Sequence, residues 1–299
     1  MDKQNPLPSA SNLFGQSVKW YVSHFPIIFG VTIIPIILSI VGIYINTASA
    51  SPSLVAGVAA FIFFFITVIA GFLSELGLLA VVAGGSSSVG NAYRKGLPLF
   101  WPFIWVSFLV GLTALGGFVL LIIPGIIIGI FLGQSIYVLF TEDRRGISAL
   151  VKSWHYVKGR AGSVFWRSLF LGIIVLLISL GISFLVGGSA LLSQIKNISH
   201  PTAIQPAVSK LSQIINTAIN QIILIPLGII YGYLLFSALR ATKTEPLDED
   251  REHKLKKKII IFMIIGIIGF ILIPVLLVAW LWAVPHGPSL VPTTLNSLR

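Results

Sequence analysis

The 299-residue sequence contains no cysteine, so it can hold no disulfide framework, no thiolate nucleophile and no cysteine-based zinc site. Charge is scarce as well: 10% of residues are charged, and acidic residues number only 9. The phosphate-cradling Gly-x-x-x-x-Gly-Lys, the Gly-x-Ser-x-Gly nucleophile elbow and His-Glu-x-x-His are missing, and no two carboxylates pair inside an apolar run. These absences predict a non-enzyme that needs neither metal nor cofactor. Residues 1–15 are polar and include Lys3, unlike a cleaved signal peptide, so the first apolar run is expected to stay in the mature protein.

What the sequence has in abundance is apolar surface. At 56% hydrophobic residues and a mean hydropathy of +0.98, a soluble globule could not cover itself with polar groups. Seven apolar runs stand out, at 26–46, 54–83, 100–123, 126–140, 163–187, 214–238 and 259–283. Most reach the ~20 residues that cross a ~30 Å hydrocarbon core. The expected fold is an all-α polytopic transmembrane helical bundle of about seven spans. The run 126–140 is short for a crossing at about 1.5 Å per residue, which predicts a locally thinned bilayer or a sunken turn.

The net charge of +11 could suggest nucleic acid, but its distribution argues otherwise. With the N-terminus inside, all of the 20 Lys and Arg residues except Lys196, Lys210 and Arg299 fall in segments facing the cytoplasm. That bias predicts a multi-pass protein of the cytoplasmic membrane with its N-terminus inside and C-terminus outside.

Three short amphipathic segments each precede a pair of runs. Phe14, Val18, Tyr21, Val22 and Phe25 share one helical face; so do Val89, Tyr93, Gly96, Leu97 and Phe100, and again Ile147, Leu150, Val151, Trp154 and Val157. A small residue followed by a bulky one recurs in register as Ser17-Val18, Ala92-Tyr93 and Ser153-Trp154. The repeat predicts three interfacial helices, each followed by a transmembrane hairpin, over a membrane domain of residues 1–240. A charged cytoplasmic loop, 241–258, and an additional span with an external tail, 259–299, complete the expected organisation.

Within the runs, Pro124-Gly125 reads as a tight hairpin turn. Gly125, Gly129 and Gly133 form small-xxx-small motifs, as do Gly228 and Gly232, and are expected to pack helices within one bundle, with a homo-oligomer as the alternative. Glu75 is the one acid well inside a span, where ionisable groups are costly. It is read either as half of an intramembrane ion pair with Arg167, as a neutral acid, or as a proton or cation site. Gln134, Ser135, Asn216, Asn220 and Gln221 either bond between helices or line a polar cavity. Lys152, Lys158, Arg160, Lys254, Lys256, Lys257 and Lys258 are expected to contact anionic lipid head groups. The acidic block of the same loop lacks calcium-loop spacing. Asn197-Ile198-Ser199 matches a glycosylation acceptor pattern by chance.

Leu121-Ile-Ile-Pro124-Gly125-Ile, the Leu139-Phe140 ending, Glu142-Asp143, and Ala149-Leu150-Val151-Lys152-Ser153-Trp154 with Val157-Lys158-Gly159-Arg160 resemble the signature of a bacterial membrane-domain family. That domain precedes the catalytic barrel in some glycerophosphoryl diester phosphodiesterases and also has stand-alone relatives. The resemblance covers residues 11–240. It implies a stand-alone membrane domain without the enzymatic activity, because the barrel would need ~200 further residues and none of the 5 histidines sits in a His-Arg pair. The function expected is a membrane scaffold or lipid-interacting module whose partners are membrane lipids and not nucleic acid. A transporter of small or amphipathic solutes is the alternative, favoured if a polar cavity joins Glu75 to Gln134.

Overall fold

Apolar helices gain little by burying oily faces against each other in lipid, so glycines, prolines and hydroxyls decide how these seven meet. The computed structural model describes residues 7–48, 54–196, 210–243 and 246–283, with side chains at all of these except 46–48, 186–196 and 281–283. Among these residues twelve α-helices occur in the order α1 (Ala10–Ser23), α2 (Phe25–Ala48), α3 (Leu54–Val82), α4 (Val89–Gly96), α5 (Phe100–Leu120), α6 (Ile122–Leu132), α7 (Ser135–Glu142), α8 (Ile147–Val157), α9 (Ala161–Lys196), α10 (Lys210–Ile219), α11 (Ile225–Ala241) and α12 (Glu249–Ala283). There is no strand among the described residues. Seven helical stretches are long and apolar enough to cross a membrane, so the chain is an all-α polytopic helical bundle.

The short helices α1, α4 and α8 each precede a pair of span-length stretches, and each docks mainly on the pair belonging to another unit. Helix α4 packs on α3 and α2, α8 on α7, α6 and α5, and α1 on α11 and α9, so the three units close in a ring. The small residue of the repeated pair is the contact point: Ser17, Ala92 and Ser153 are all fully buried.

Each docking helix also supplies a hydroxyl to a main-chain carbonyl that the neighbouring helix cannot satisfy. Pro35 lies inside α2 and lacks the N–H that Val31 O would accept, so Tyr93 Oη donates to it at 2.7 Å, with Ser74 Oγ at 3.2 Å. Pro226 deprives Ile222 O in the same way. There the chain widens into a π turn, Asn220–Leu224, and Tyr21 Oη donates to Ile222 O at 3.0 Å. In the third unit Ser153 Oγ donates to Phe131 O at 2.7 Å, beside the break between α6 and α7. Tyr21→Phe should cost about 1–2 kcal/mol of stability by orphaning a carbonyl. In a Pro226→Ala background the same change should cost less, because the restored amide reclaims Ile222 O. Thermal unfolding of the four proteins in detergent checks this; equal costs in both backgrounds would refute the proline-cap explanation.

Full burial concentrates at one end of the ring, formed by the last turns of α3 and α11, by α4, α7 and α8, and by the start of α12. Leu76, Leu78, Leu79, Val138, Leu139, Leu150, Val157, Leu239 and Ile259 are all at most 2% exposed. Toward the opposite end, Leu54, Val55, Phe61, Leu177, Leu185 and Leu276 are exposed, as lipid-facing side chains should be. Arg94 and Lys95 close α4 at the buried end, where Arg240 and the Lys cluster of α12 also lie, and we call it the basic end. Lys210, over the Tyr44 ring at 5.4 Å, lies at the other.

Four expectations change. The run 126–140 lies within two helices, α6 and α7, and their break at Gly133 and Gln134 is held by Ser153, which also accepts from the Gln134 N–H at 3.2 Å. The turn between α5 and α6 is the single extended residue Leu121 (φ −168°, ψ 160°). Pro124 and Gly125 lie inside the first turns of α6, where a proline removes no helical hydrogen bond. Helix α8 is not spread flat with a wet face: Ser153, His155 and Tyr156 are buried along with Leu150, Val151 and Val157 of its apolar stripe, while Ile147 and Trp154 are half-buried. Finally, the second half of the charged loop is helical. Helix α12 begins at Glu249 with Glu249, Asp250 and Glu252 in its first turn, where acids complement the helix dipole.

Candidate functional site at the basic end

Helices α7, α8 and α11 end together, and one carboxylate joins them. Glu142, with a side chain only 14% exposed, pairs with Arg240 Nε at 3.5 Å. It also accepts a hydrogen bond from Tyr156 Oη at 2.6 Å. Burial first, then that carboxylate, pushes the Tyr156 phenol above its ordinary value. Lys152 sits over the Tyr156 ring at 5.2 Å, a cation–π contact. Glu142 and Lys152 belong to the sequence motif described above, whereas nothing in the sequence marks Tyr156 or Arg240 as their partners. The available signal was an acid placed right at the end of an apolar run.

Beside this cluster lies an open cleft of about 550 Å³ between the end of α8, Lys243 and Leu247, and the first turns of α12. Among the described residues Lys158, Lys243, Arg251, Lys254, Lys257 and Lys258 line it together with His155, and no described carboxylate does. The helical period explains the set. Arg251, Lys254, Leu255 and Lys258 recur at i, i+3, i+4 and i+7 on one face, while Lys256 points elsewhere. Of the seven cations expected at head groups, Lys158, Lys254, Lys257 and Lys258 therefore meet in one cleft. Lys152, Arg160 and Lys256 are not part of its wall, and Lys243 and Arg251 join it unexpectedly.

Glu75 and Arg167 do not pair. Arg167 gives Nε to Pro8 O at 2.8 Å, Nη2 to Leu7 O at 2.9 Å and Nη1 to Ser163 O at 2.9 Å, which ties the chain before α1 to α9. No ion pair reaches it from Glu75 among the described residues. Glu75 is instead half-buried on α3, the helix that meets α7 and α11. It lies within electrostatic reach of Tyr137, whose Oη donates to Ile229 O at 3.3 Å.

The glycine motifs divide. Gly125 packs against Phe118 of α5, and Gly232 receives the Tyr137 hydroxyl. Gly129 and Gly228 face open space, and Gly133 meets only the carbonyls of its own helix. Gln134 and Ser135 are buried, Asn216 and Gln221 are half-buried and Asn220 is exposed. Gln134 Oε1 has no hydrogen-bond partner among the described residues. A second opening, an apolar groove of about 370 Å³ between α6 and α9, is lined by residues such as Ile127, Ile130, Gly162 and Phe165. Neither opening includes Glu75 or Gln134. Asn197-Ile198-Ser199 lies outside the described residues.

No family model, no curated protein and no solved structure matches the chain.

Proposed function

We propose that this integral membrane protein is a non-enzymatic scaffold that gathers anionic lipid head groups at its basic end. The observation that carries the reading is the cleft walled by six Lys and Arg side chains, with no carboxylate among the described lining residues. Such a site attracts phosphate-bearing head groups, each cation near the surface contributing about 1 kcal/mol. The closed ring supports a scaffold as well, since its helices are locked to one another through buried small residues and capped carbonyls. On this reading the basic end faces the cytoplasm, the N-terminus is inside and the C-terminus outside, and the chain is a stand-alone relative of the phosphodiesterase membrane domains.

A transporter of small or amphipathic solutes is the second reading. Glu75 beside Tyr137 and the partnerless Gln134 Oε1 favour it. The deciding measurement uses the full chain, reconstituted in vesicles of phosphatidylcholine and phosphatidylglycerol and then extracted in mild detergent. The scaffold reading expects phosphatidylglycerol to be enriched in the extract, and expects vesicles carrying wild type or Glu75→Gln to hold a proton gradient equally well. A proton leak that Glu75→Gln abolishes would replace the scaffold with the transporter.

A further inference from the structure

The basic cleft and the apolar groove share a short stretch of chain. Lys158 and Gly159 wall the cleft, and Ala161 and Gly162, two and three residues after Gly159, wall the groove. Gly159 makes the sharp exit from α8 possible: its φ of +87° is a conformation that L side chains rarely adopt. The chain then enters α9 at Ala161, so cations and oily surface are brought within a few residues of each other at the mouth of a span.

We propose that the two openings form one bipartite site for an anionic phospholipid, with the phosphate among the cleft cations and an acyl chain in the groove between α6 and α9. This rests on the scaffold reading and adds to it a place and an orientation for the lipid. Charge complementarity argues for the occupant of the cleft: six cations, with no carboxylate among the described lining residues, call for a phosphate rather than a cation. The groove then fits the rest of the same molecule. Ile127, Ile130 and Phe165 present it with apolar side chains, and Gly162 leaves open space where a side chain would stand. A soluble phosphate would satisfy the cleft alone and leave the groove indifferent.

Native mass spectrometry of the full chain, released from phosphatidylcholine micelles doped with phosphatidylglycerol, reads the site directly. The Lys254→Gln/Lys257→Gln/Lys258→Gln protein should bind phosphatidylglycerol about a hundredfold more weakly than wild type. Gly162→Trp, which fills the groove from a position with free space, should lower retention comparably; Ile127→Trp serves as a second groove-filling variant should the first fold poorly. Lys256→Gln, outside the cleft wall, should match wild type, and inorganic phosphate should not displace the lipid. Inorganic phosphate displacing the lipid while both groove variants bind normally would overturn the bipartite site in favour of a soluble-anion cleft. Preference for phosphatidylglycerol that survives every substitution would also overturn it, leaving general adsorption at the basic end and the scaffold reading intact. No preference for phosphatidylglycerol over phosphatidylcholine in wild type would sink that reading itself.

Discussion

Gly116→Leu should leave little folded protein, and even Gly116→Ala should destabilise the chain by about 1–3 kcal/mol or more. A Cβ at Gly116 would collide with the carbonyl oxygen of Phe262 and stand 2.8 Å from its carbon and 2.9 Å from Gly266 N. One at Gly266 would in turn strike Leu112 O. Helices α5 and α12 thus touch backbone to backbone, in the most extensive helix pair of the bundle. A flexible side chain could move aside, but a helical carbonyl cannot without breaking its own hydrogen bond. Gly129→Ala and Gly228→Ala are the controls, because both positions face open space and alanine favours a helix over glycine by up to about 1 kcal/mol. Thermal unfolding in detergent should rank Gly116→Ala well below wild type, with the two controls at or above it. A Gly116→Ala protein as stable as wild type would mean that α12 does not sit on α5 as described.

That contact also shows what the sequence could and could not disclose. The spans were legible because crossing a hydrocarbon core requires a countable length of apolar residues, and the threefold repeat was legible because amphipathic periodicity survives without any knowledge of neighbours. Spacing motifs, by contrast, mark glycines at i and i+4 on one helix but are silent about the partner. They pointed to Gly129 and Gly228, which face open space, and passed over Gly116 and Gly266, which meet across two helices. Pro124-Gly125 looked like a turn from composition; the first turn of a helix tolerates the same pair, and only the extended Leu121 distinguishes the two. Of the cleft, Lys158, Lys254, Lys257 and Lys258 were readable as charge near a span, whereas Arg251 needed the start of α12 at Glu249 to fall in phase with them. Lys243 needed the residues just after α11 to be placed beside α12. Depth along a span was a poor guide to pairing for Glu75 and Arg167, since it says nothing about which way around the helix a side chain points.

Glu75→Lys should fold poorly, and Arg167→Glu in the same chain should not rescue it. An unpaired buried cation costs about 3–5 kcal/mol, and the surroundings of Glu75 on α3 offer it Tyr137 and no second carboxylate among the described ion pairs. Glu75→Gln keeps the shape without the charge and should remain close to wild type. The absence of rescue follows from the partners of Arg167: each of its three guanidinium nitrogens donates to a carbonyl, of Pro8, Ser163 and Leu7. The Tyr231 phenol holds its main-chain oxygen at 2.9 Å. A carboxylate placed there would face acceptors with nothing to donate, so Arg167→Glu should add its own loss and loosen the segment before α1. Folded yield by size-exclusion chromatography of the two single variants and the double variant decides the matter. Recovery in the double variant would restore the direct pair between α3 and α9, and a harmless Glu75→Lys would mean that water reaches the half-buried position of Glu75.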